Sequence, residues 1–114
     1  MRGCLILTEN EKLEDLGFWK KNADKFFEDG KYLDALEAYE NMARMDPKNT
    51  LAWKGMATAF SLLDKPYEAL ESLNKALNID PTDLEALEIK GLILKKLLED
   101  NEEELNRLKT SKSG

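Results

Sequence analysis

Trp19-Lys20-Lys21-Asn22-Ala23-Asp24-Lys25-Phe26 and Trp53-Lys54-Gly55-Met56-Ala57-Thr58-Ala59-Phe60 share one pattern, set 34 residues apart. A third, weaker copy follows at the same interval, with Gly91 in the place of Ala23 and Ala57, and Leu94 in the place of Phe26 and Phe60. The register extends beyond these stretches: Ala35 returns as Ala69, Tyr39 as the bulky Leu73, and Asp46-Pro47 as Asp80-Pro81. A fixed period of this length marks supersecondary units that bury their apolar faces by stacking on one another.

Inside each unit the apolar residues recur at intervals of three and four, which puts them on one side of a helix. Trp19, Ala23 and Phe26 define a first helix that stops at Asp29-Gly30, where glycine suits the left-handed position just past a helix end. Ala35, Leu36, Tyr39 and Met42 define a second, which runs to Asp46-Pro47 and is stopped by the proline. The second unit repeats the plan with Asp64-Lys65-Pro66 as its turn, Pro66 being tolerated in a first helical turn that needs no N–H donor. Asn49 and Asp83 stand where the following first helices begin, as N-caps. Small residues at Ala23, Ala35, Ala57, Ala69, Ala76 and Gly91 predict close approach of helix axes, with the aromatic and leucine side chains filling the grooves beside them.

The ends depart from the repeat. Glu99-Asp100-Asn101 reads as a turn, and Asn101 with Glu104 as a capping-box variant opening a polar terminal helix anchored by Leu105 and Leu108. Such a cap shields the last apolar face of a repeat array. Thr8 with Glu11 gives a second capping-box signal, so the first helix is expected to begin near Glu9, although Gly17 lies in its path.

Composition narrows the function classes. The 114 residues are 42% hydrophobic and 35% charged with a net charge of -6, which describes one folded domain with a solvated helical surface. No basic cluster is present to neutralise phosphates, so nucleic acid is excluded as a partner. The apolar run Cys4-Leu5-Ile6-Leu7 is shorter than the roughly 7 to 15 residues of a signal segment. Nothing approaches the roughly 18 apolar residues of a membrane span. A single cysteine makes no internal disulfide, and the expected location is the cytoplasm. There is no histidine, and Cys4 has no basic neighbour placed to activate it. With no phosphate-binding glycine loop and no cysteine cluster either, the chain is expected to be neither an enzyme nor a binder of metal or cofactor.

The units resemble tetratricopeptide repeats, whose 34-residue pattern sets Trp early, then Gly or Ala, an aromatic, Ala, an aromatic, Ala and a closing Pro. The resemblance covers residues 16–81 as two full units, with 84–98 similar to the first helix of a third. Asn22, Lys90, Met42 and Pro66 depart from the pattern without breaking its register. It implies an all-α fold of antiparallel helix pairs stacked as a short right-handed superhelix, about two and a half repeats plus a C-terminal capping helix. The expected organisation is a partly mobile extension over 1–12, a single domain over 13–110 with units at 16–49, 50–83 and 84–110, and a disordered tail over 111–114.

The resemblance also implies a function. First helices in this family line a concave face that holds a partner, and the corresponding positions here are Gly17, Lys20, Asp24, Phe27 and Glu28, then Leu51, Lys54, Thr58, Ser61 and Leu62, then Glu85, Glu88, Leu92, Lys95 and Lys96. The candidate protein-binding set is Lys20, Asp24, Phe27, Leu51, Lys54, Thr58, Leu62, Glu85, Glu88 and Leu92. Phe27, Leu51, Leu62 and Leu92 are more apolar than an idle surface requires. The expected role is a protein interaction module or scaffold that binds a partner segment. The alternative is a self-associating homodimeric subunit, because so short an array falls below the roughly three repeats usually needed for stability. Some family members grip the acidic C-terminal tails of heat-shock chaperones with Lys and Asn on one first helix, Asn on the next, and Lys and Arg on a third. Lys20, Asp24, Gly55, Glu85 and Ile89 occupy those positions here, so two anions stand where a carboxylate tail would lie. From this, acidic chaperone tails are expected to be excluded as partners, and a segment with apolar anchors and some positive charge to be preferred.

Overall fold

The computed structural model describes residues 9–113, with side chains from 16 to 110. Cys4, the Leu5-Ile6-Leu7 segment, the cap at Thr8 and the side chains of 111–114 lie outside the described residues. Five helices follow in order among them: α1 (Glu9–Glu28), α2 (Tyr32–Met45), α3 (Thr50–Leu62), α4 (Pro66–Ile79) and α5 (Leu84–Ser113). The helices form the stacked pairs that the period predicts, α1 with α2 and α3 with α4, and α5 packs mainly on α4. No helix among the described residues is long and apolar enough to cross a membrane.

Local chemistry sets the boundaries. Gly30 takes φ +75°, which turns the chain so that the Lys31 N–H donates to the Phe26 carbonyl at 2.8 Å and closes α1. At the same place in the second unit, Asp64 adopts φ +61°, and the Lys65 N–H donates to the Phe60 carbonyl at 2.8 Å. The Asn49 side chain accepts from the Leu51 N–H at 3.0 Å and that of Asp83 from the Ala86 N–H at 3.1 Å, so both serve as N-caps. Asp46 and Asp80, each held in extended backbone by the proline that follows, end α2 and α4.

The core lies in two linked clusters. Ala23, Tyr39, Met42 and Ala52 centre the first, Ala57, Ala69, Leu73 and Ala76 the second, and Trp53 packs against both. Ala35 and Ala69 are fully buried, as close helix approach requires. Met42 and Leu73 are the largest side chains wholly removed from water. Such a side chain contributes about 1.5–3 kcal/mol of hydrophobic stabilisation.

Two local expectations differ from what is seen. The turn at Glu99-Asp100-Asn101 is absent, and α5 runs through it as one 30-residue helix. These residues are polar but include no glycine or proline, and helix continuation satisfies their backbone groups at little cost. Gly91 is not a contact residue: nothing lies within 4 Å of where its β-carbon would be, because no described helix follows α5 to complete a third pair. The expected start of the first helix near Glu9 is seen, Gly17 lying within α1 without interrupting it.

Candidate functional site

α1, α3 and α5 present the face on which the candidate residues were placed, and several of its charges are paired. The Lys20 ammonium lies 3.1 Å from Asp24 Oδ2 one turn away, and the Tyr39 hydroxyl donates to Asp24 Oδ1 at 3.3 Å. Burial of Tyr39, helped by that carboxylate, pushes its phenol pKa up to about 12. On α3, the Lys54 ammonium lies 3.0 Å from Asp83 and 3.6 Å from Glu85. The Lys54 and Asp83 side chains are only 13% and 10% exposed. The hydrogen bond from Lys54, together with backbone N–H groups at the start of α5, holds the Asp83 carboxyl below its ordinary pKa. Lys54 is therefore tied to the cap of the next helix rather than free on the groove.

Beside this charged stretch a cavity of about 370 Å³ opens between α3 and α5. Thr58, Ser61, Leu62, Leu92 and Lys96, all placed on the binding face by the repeat register, line it together. Leu62 and Leu92 are 50% and 69% exposed at its mouth. The Ser61 hydroxyl is buried and has no hydrogen-bond partner among the described residues. Pro66, Ile89, Ile93 and Leu97 complete the apolar wall. Sequence reasoning placed Ile89 only at a clamp position and missed the other three as site residues, because Ile89, Ile93 and Leu97 carry the same spacing as core positions and also pack against the second cluster.

The other candidates divide. Phe27 and Leu51 pack against the first core cluster, the Phe27 ring lying 5.7 Å from that of Tyr39. Glu85 and Glu88 are exposed at the start of α5. Gly55 is buried beneath the Tyr39 ring, so it holds no groove position at all.

A sequence profile of the tetratricopeptide repeat matches residues 26–93. A TPR repeat-containing protein of Methanocaldococcus jannaschii is 33% identical over 84 residues, spanning 74% of this chain and 15% of that protein. The Hsp70-Hsp90 organising protein of Plasmodium falciparum is 34% identical over 71 residues, spanning 62% of this chain and 26% of its own length. This chain thus covers only a minor part of either relative. Among solved structures, the second TPR domain of human RPAP3, in complex with the HSP70 peptide SGPTIEEVD, superposes with a TM-score of 0.68 at 27% identity. The match covers 77% of this chain and 76% of that domain.

The RPAP3 complex overturns the expected exclusion of acidic chaperone tails, since a domain this similar carries such a peptide. The exclusion took Asp24 and Glu85 for bare anions facing the ligand. Instead each lies beside a lysine, Asp24 at 3.1 Å from Lys20 and Glu85 at 3.6 Å from Lys54, which offsets the repulsion.

Proposed function

The chain belongs to the tetratricopeptide repeat family, and we propose that it is a non-catalytic interaction module holding a partner's peptide segment along α1, α3 and α5. The cavity between α3 and α5 carries this reading. Its wall is mostly apolar, its mouth is formed by exposed Leu62 and Leu92, and the buried Ser61 hydroxyl lacks a partner among the described residues. An aliphatic side chain entering it removes apolar surface from water on both partners, and a peptide N–H or C=O alongside satisfies Ser61.

An acidic segment finds a cation on this face at Lys20. The Lys20–Asp24 pair is half-exposed on both sides, and an exposed i,i+4 pair is worth about 0.3–0.5 kcal/mol. Lys20 therefore exchanges Asp24 for a ligand carboxylate at little cost. Lys54 is nearly buried and fixed to Asp83, with Glu85 also beside it, so its charge is spent within the fold and it offers no mobile contact. A peptide such as SGPTIEEVD offers both carboxylates for Lys20 and aliphatic side chains for the cavity, which makes acidic chaperone-type tails the first candidates.

Calorimetric titration with that peptide tests the reading. Binding should weaken as salt rises, and Lys20→Ala or Leu92→Asp should each reduce affinity by about tenfold, equivalent to 1.4 kcal/mol. Absence of binding at low salt, or binding indifferent to both substitutions, would overturn it.

A further inference from the structure

α5 carries a second apolar face that the fold does not use. Ala86, Ile89, Ile93 and Leu97 turn inward onto the second cluster. Around the helix from them run Leu84, Leu87, Gly91, Leu94, Leu98, Asn101, Leu105 and Leu108, separated alternately by three and four residues. That is the heptad spacing of a helix built to pair with another along its length. The six leucines are between 45% and 72% exposed, and every residue from 101 to 110 is exposed. In the complete units the equivalent positions are covered, Ala23 by α2 and Ala57 by α4, both at 0% exposure. Among the described first helices, α5 alone has no second helix packed on it.

We propose that a second copy of this chain supplies that helix, the two α5 helices pairing antiparallel about a two-fold axis near residue 96. The self-complementarity of the seam selects this occupant. In that register Leu84 meets Leu108 of the other copy, Leu87 meets Leu105, Leu94 meets Leu98, and each pair occurs twice. The two seam positions that are not leucine, Gly91 and Asn101, face each other, so the amide lies over the residue with no side chain. A parallel pairing in register would stack Gly91 on Gly91 and bring Lys90 towards Lys95 and Asp83 towards Glu88, which leaves a void and repels. In the antiparallel dimer, residues 101–108 of one copy occupy the place of the missing second helix of the other copy's third unit. The cavity at Leu62 and Leu92 faces another direction and stays open, so the peptide-binding reading and the dimer fail or stand separately.

Light scattering on the full chain carrying Cys4→Ser should show the molar mass doubling as concentration rises. Leu94→Glu with Leu98→Glu should keep it at the mass of one chain with helicity unchanged, since both side chains are exposed. Register is read by mixing two single-cysteine chains, Gly91→Cys and Asn101→Cys, each in the Cys4→Ser background. Ten residues along a helix separate the two positions by about 15 Å, too far for a bridge within one chain. Oxidation should therefore yield the mixed disulfide between the two variants. A single-chain mass at every concentration, a dimer that survives the double glutamate substitution, or cross-linking of each variant only to its own kind would each overturn the proposal.

Discussion

Gly55 of α3 lies directly under the ring of Tyr39 of α2, so close that a β-carbon on it would overlap the ring atoms. Tyr39 in turn reaches α1 through its hydroxyl on Asp24 and its ring against Phe27, so one side chain fastens three helices. Gly55→Ala should accordingly destabilise the fold by about 1–3 kcal/mol or more, measured by denaturant unfolding. Tyr39→Leu in the same chain should recover part of that loss, because the two changes share one contact. Purely additive effects would show that the contact is not what constrains position 55.

Asp64 and Gly30 occupy the same turn of successive units, and only the glycine takes its positive φ without strain. Asp64→Gly should raise stability by about 0.5–1 kcal/mol, while Gly30→Ala should lower it by about 1 kcal/mol. Thermal melts of the two variants shifting in the same direction would contradict this account of the turns.

Ala69 is wholly buried between α3 and α4, and Ala69→Leu should cost about 1–3 kcal/mol by overpacking. An equal change at exposed Glu71 should leave the melting temperature nearly unmoved. The 34-residue period identified Ala69 and Ala35, and capping and turn preferences within it identified Asn49, Asp83 and Gly30. These features depend on spacing along one helix or on a single residue's conformational freedom, both of which a sequence displays. Gly55 was not legible in this way: Lys21 and Ile89 stand at its register positions, and the need for glycine arises only from where the Tyr39 ring lands in three dimensions. The cavity was half legible. Its mouth residues Thr58, Leu62 and Leu92 follow from the repeat register, whereas its inner wall shares side chains with the core. The pairing of Lys54 with Asp83, 29 positions along, was hidden because local spacing says nothing about which distant carboxylate meets an ammonium. The uninterrupted α5 was misread for another reason: Glu99-Asp100-Asn101 are acceptable both in a turn and in an exposed helix, and composition does not choose between them.

The Tyr39 phenol should titrate late. Its pKa stands at about 12 instead of the ordinary 10.0, through burial first and the Asp24 carboxylate second. The folded chain holds this proton more tightly than the unfolded one. The resulting stabilisation is complete below about pH 10 and is lost as pH rises through about 12. Ultraviolet titration should show one of the three tyrosines ionising in that upper window, and Tyr39→Phe should remove the step. Persistence of a late step in the Tyr39→Phe chain would assign it elsewhere.

The binding face itself is read most directly by two-dimensional amide NMR of the labelled chain during titration with the SGPTIEEVD peptide. The largest shifts are predicted at Thr58, Ser61, Leu62, Leu92 and Lys96 around the cavity, with a second group at Lys20 and Asp24. Shifts confined to the outer faces of α2 and α4, or no shifts at saturating peptide, would contradict the assignment of α1, α3 and α5 as the surface that meets the partner.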